Sequence, residues 1–174
     1  SANVIIPSGT TFQPALNGSP ASVASVNISS GVTLTLQGQN LNVCGSWTGG
    51  NSTSASVSGS GTVYLNGTGG SQNISGNTQF NILQLNNSNG AVLASGAKVS
   101  IATGLQLQTG ILNVASGTLR LLSSSATSNS YIDDFSSGYT GSISGTIIAD
   151  RYIPVQGYNQ HFISSPVNTP ALSQ

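Results

Sequence analysis

The stretch "LQLNNSNGAVLASGAKVSIATGLQLQTGILNVASGTLRLL", residues 83–122, decides the fold. Leu85, Val92, Val99, Leu105, Leu112 and Leu119 each open a short apolar pair, at steps of seven, seven, six, seven and seven residues. Gly90, Gly96, Gly104, Gly110 and Gly117 fall between the pairs, mostly beside Ser, Asn or Thr. Apolar residues at three-and-four spacing do not persist, so no helix is predicted. A step of six or seven is too short for an antiparallel meander of full-length strands, whose turns fall about every 8–12 residues. It suits one side of a coiled solenoid, a short strand followed by a tight bend. Three such sides close a rung of roughly 20 residues. The competing arrangement is a β-sandwich with short strands.

The same rhythm extends outward. Ile28, Leu34 and Leu41 continue it toward the N-terminus, with Gly31 and Gly38 between them and Gly45 after the last. The expected fold is therefore all-β: a right-handed parallel β-helix, or β-solenoid, over residues 1–122. Aliphatic side chains point inward and stack between rungs, and Gly and Asn take left-handed corner conformations at low cost. The rhythm breaks at 44–61 and again at 123–142, which predicts loop excursions there, with Trp47 covering the core beside the first. "GTIIADRYIPV" (145–155) resumes as a strand-like run carrying aromatics and charges. Residues 123–174 read as an irregular loop plus a capping or junction segment of the same structural domain.

Composition agrees with stacking. Of 174 residues, 37% are hydrophobic and only 3% charged, and the formal net charge is zero. Ordinary soluble domains are about 25% charged. Disorder goes with low hydrophobicity and high net charge, and this chain has neither. Rungs repeat about every 4.8 Å, so ladders of like charge would repel, whereas ladders of Asn, Ser and Thr hydrogen-bond. The neutral surface also raises no electrostatic barrier to self-association.

Several partners are excluded on the same grounds. Lys98, Arg120 and Arg151 are the whole basic inventory, too little for a phosphate backbone. No stretch approaches the roughly 20 apolar residues of a spanning helix, and a lipid-facing barrel would show aromatic girdles. Cys44, the single cysteine, reads as a buried small hydrophobe. The opening "SANVIIPSG" has no basic start or long apolar core, so it is no signal peptide, and its small residues fit a processed, secreted chain. The ending "NTPALSQ" reads as continuing in a longer gene.

Two groups of motifs carry a family resemblance. The first is Gly61-Thr62-Val63-Tyr64, Asn66-Gly67, Gln72-Asn73-Ile74-Ser75-Gly76 and Phe80 to Leu83, within 58–122. The second is "DRYIPVQGYNQHFISSPV", residues 150–167. Together they resemble the repeat and junction regions of very large secreted surface proteins of Bacteroidota, over about the last two thirds of the chain. The resemblance implies export by the type IX secretion route and a β-helical stalk or adhesive region. It does not imply an enzyme, and that family's C-terminal sorting domain has no counterpart in this sequence.

The ionisable residues invite an active-site reading, because Asp150, Arg151 and His161 fall close together, with Asp133 and Asp134 upstream. Glycan-cleaving sites need convergent carboxylates. The chain has no Glu, and adjacent Asp133 and Asp134 would point to opposite faces of a strand. Ser164 and Ser165 lie near His161 but lack the Gly-x-Ser-x-Gly elbow of an activated serine. No enzyme, metal or cofactor is therefore predicted. Asp150 and Arg151 are neighbours whose side chains diverge on an extended run, so each is expected to pair elsewhere, Arg151 with Asp133 or Asp134. Trp47, Tyr64, Asp150, Arg151, Tyr152, Tyr158, His161 and Phe162 are the candidate contact or capping residues. Solenoid ends need such caps, because the last rung exposes core and unpaired backbone.

The expected function is that of a secreted structural module, a piece of a surface fibre, stalk or appendage that self-associates and contacts other surface components. The alternative is an adhesin that binds glycan through exposed aromatics. Ice binding would need a sustained Thr array, and Thr33 and Thr35 are followed by Gln and Asn at the equivalent places.

Overall fold

The computed structural model describes residues 1–9, 11–133 and 138–153. These residues contain no helix. Every pairing between strands is parallel, so the chain is a β-solenoid. One side is a seven-stranded sheet in strict chain order. It holds β1 (Val4–Ile6), β3 (Val26–Ile28), β6 (Trp47–Thr48), β9 (Gln72–Ser75), β11 (Ala91–Leu93), β13 (Ile111–Asn113) and β16 (Ser142–Ser144).

A ten-stranded sheet wraps the other two sides. The second side holds β4 (Thr33–Thr35), β7 (Ala55–Ser58), β14 (Thr118–Leu121) and β17 (Ile147–Ala149). The third holds β2 (Ala21–Val23), β5 (Leu41–Val43), β8 (Val63–Leu65) and β15 (Tyr131–Ile132). Two long strands, β10 (Asn77–Asn86) and β12 (Lys98–Thr109), turn the corner and serve both sides. The start of β10 pairs with β7 and its end with β8. A register shift between Phe80 and Ile82 marks that corner.

Alternation sets the core. On the second side Leu34, Val57, Phe80, Ile101 and Leu121 stack inward in register. On the third, Val43, Leu65, Leu85 and Leu107 do the same. The spacing rule needs one correction: Val92 opens an apolar pair but faces outward, and its neighbours Ala91 and Leu93 are buried. Two consecutive strand residues cannot both point inward.

The expected ladders are present. Asn66 Nδ2 donates to Asn42 Oδ1 at 2.9 Å, Thr103 Oγ1 to Asn81 Oδ1 at 2.5 Å, and the Thr35 and Ser58 hydroxyls lie 3.3 Å apart. These partners are 22 to 24 positions apart, one rung. Some corners are hydrogen-bonded turns with glycine third: Val32 N–H donates to Ser29 O, and Ala97 N–H to Ala94 O. Gly31 and Gly96 take φ of 73° and 75° there, the left-handed region where a side chain is strained.

The excursion at 44–61 is confined to bends, between which β6 and β7 keep their places in the stack. Its aliphatic content is low because one Trp and the small Ala55 and Val57 fill its inward positions. In 123–142, β15 pairs with β12, Ser123 and Asn129 form an antiparallel bridge, Ser142 opens β16, and the other described residues are bends and irregular backbone. Cys44 is exposed, not buried. Val43 occupies the inward position, so the next residue leaves the core.

Candidate functional site

Trp47 was expected to cover the core, and it lies inside it, 0% exposed. Its ring sits 4.9 Å from that of Phe80, tilted by 55°. Its Nε1–H donates to the hydroxyl of buried Thr78 at 2.9 Å. A Trp with its one donor satisfied inside the stack is a structural residue. It cannot meet a glycan.

Gln72 shows the same logic in polar form. It enters β9 at an inward position just after the bend at 66–71. Its Nε2 donates to Val43 O at 2.8 Å and Gly45 O at 2.7 Å. Its Oε1 accepts from Gly67 N–H at 2.9 Å and from Asn87 Nδ2 at 3.1 Å. Gln72 and Asn87 are both buried. An amide with every bonding position used is a joint between rungs, because its network stays cheap only when complete.

Tyr64 faces outward on β8, half-buried, in register between Asn42 of β5 and Gln84 of β10. Asp150 follows β17 and takes Arg120 as its partner: Arg120 Nε lies 2.9 and 3.0 Å from its two carboxylate oxygens. Asp150 had been expected to pair elsewhere than Arg151, and it does. Arg151 and Tyr152 are exposed, and with Ala126, Asn129, Ser130 and Asp150 they wall an open depression of about 520 Å³. Asp134, Tyr158, His161 and Phe162 lie outside the described residues. Tyr64 and the Asp150–Tyr152 group are thus not brought together, since they belong to different sides.

Two features escaped the sequence reading. At the N-terminal end, Val4, Ile6, Leu16, Val23, Leu34 and Leu41 surround an apolar cavity of about 230 Å³. Nearby Ile5 is 71% exposed and Phe12 87%. On the second side, Lys98 and Arg120 face one groove of about 290 Å³. The rung period applied to basic residues would have flagged that pair; nothing in the apolar rhythm distinguishes an end rung from an inner one.

Among the described residues, no group of three or more His, Cys, Asp or Glu lies together to hold a metal. No helix there is long and apolar enough to cross a membrane. No protein-family model, curated protein or solved structure matches the chain.

Proposed function

We propose that the chain is a structural module of a secreted bacterial surface fibre, stalk or appendage, and that it acts by contact with copies of itself. The first described rung is the observation that supports this most. Its cavity is apolar, and among the described residues β1 ends the seven-stranded sheet. Val4 N–H bonds to Ser25 O and Ile6 O accepts from Ser29 N–H, both toward the next rung. Strand alternation therefore turns the Ile5 N–H and C=O outward, unpaired among the described residues. Such an edge is a template for another strand. The zero net charge and neutral polar ladders leave nothing to repel a second copy.

The test is sedimentation velocity over a concentration series, with electron micrographs of the concentrated sample. Ile5→Pro removes the outward N–H while leaving the bonds to β3 in place. The wild type is expected to form larger, regular species as concentration rises, and the Ile5→Pro chain to stay monomeric with an unchanged β spectrum. A wild type that stays monomeric throughout contradicts the proposal.

A further inference from the structure

We propose that the outward face of β10, β12 and β14 binds an acidic polysaccharide, with a uronate carboxylate held between Lys98 and Arg120. The chain has only three basic side chains, and two of them line the same groove. Lys98 pairs in register with Thr118, and Ser100 with Arg120, so the two cations are diagonal neighbours on one face. With strands about 4.8 Å apart and a rise of about 3.3 Å per residue, such positions stand about 8 Å apart, a gap that two long side chains close around one carboxylate.

Their bonding leaves capacity for a ligand. Among the described residues the Lys98 side chain makes no ion pair or hydrogen bond, and the Arg120 side chain engages Asp150 through Nε alone. The terminal guanidinium nitrogens keep their donors, and Arg presents these in a planar fork suited to carboxylate. With Asp150 counted against Arg120, the groove carries a single net positive charge, which suits one isolated acidic sugar better than a phosphate chain.

The rest of the groove selects the ligand class. Gln79, Ser100 and Thr118 add neutral donors and acceptors suited to sugar hydroxyls. Ile148, 48% exposed, adds an aliphatic patch for the C–H face of a ring. A peptide that bound by adding a strand would need a sheet edge. β12 and β14 are paired on both sides, so this face offers no edge. The site goes beyond the structural reading and does not depend on self-association.

The experiment is calorimetric titration of the full chain with an oligogalacturonate and with its methyl ester of equal length. The free acid should bind, and the ester about tenfold more weakly or worse, the loss of one charge-assisted contact. Lys98→Gln should show the same loss with an unchanged β spectrum, since the substitution keeps the backbone pairing and the Lys98 side chain is exposed. Asp150→Asn should tighten binding, and added salt should weaken it. Equal binding of acid and ester, no binding of the acid, or an indifferent Lys98→Gln would overturn the site. Inorganic sulfate or polyaspartate competing as well as the oligosaccharide would overturn its assignment to glycan. Sedimentation of the Lys98→Gln chain should match wild type, which separates this proposal from the structural one.

Discussion

The inner rungs and the N-terminal rung are built from the same alternating sequence, yet they end in different states. Phe80, Ile101 and Leu105 of β10 and β12 are 0% exposed, with a paired strand above and below. Val4 of β1 is only half-buried, and the first rung surrounds a cavity. The difference lies in neighbours and not in residue type. A repeat cannot bury its apolar face alone, so stability in a stack is largely a sum over rung-to-rung interfaces. Among the described residues the first rung has one such interface and the inner rungs two.

The largest effect should come from the residue that fills most of the interior. Trp47→Ala opens a cavity beside Phe80 and strips Thr78 of its partner. It should cost about 3–5 kcal/mol in urea unfolding. A loss below about 1 kcal/mol would mean that the ring is not packed as described.

The comparison is sharpened by truncating the same residue type in both regions. Ile101→Ala should cost about 2–5 kcal/mol, because a fully enclosed site cannot collapse. Ile6→Ala, beside an existing cavity, should cost clearly less. Equal costs would break the distinction between inner and end rungs.

Gln72→Leu comes next. It keeps the volume but leaves the Gly67 N–H and one Asn87 amide donor unpaired, along with a Gly45 carbonyl. A buried donor left unsatisfied costs about 1–3 kcal/mol, and unfolding midpoints should register that loss. The smallest effect belongs to the exposed ion pair. Arg120→Gln should cost no more than about 1 kcal/mol, and that cost should shrink in salt.

The stack itself was legible because its cause is periodic. Apolar pairs such as Val99 and Ile101, or Leu105 and Leu107, repeat at a step that only short sides permit. Trp47 was misplaced for a physical reason. Its segment is poor in aliphatics, and a single large ring can replace several of them. The partner of Asp150 could not be read either, because Arg120 is one rung away and 30 positions distant. Such pairings need the register, and register comes from where each bend falls. Tyr158, His161 and Phe162 lie outside the described residues.

If copies of the chain meet through the first described rung, the Ile5 amide reports it directly. Hydrogen exchange at that amide should be measured across a concentration series. It should run near its unprotected rate in dilute solution, because its N–H faces away from β3. It should become protected as concentration rises and a second copy pairs with β1. Exchange that stays fast at every concentration, while the Ile101 amide remains protected, would contradict the account.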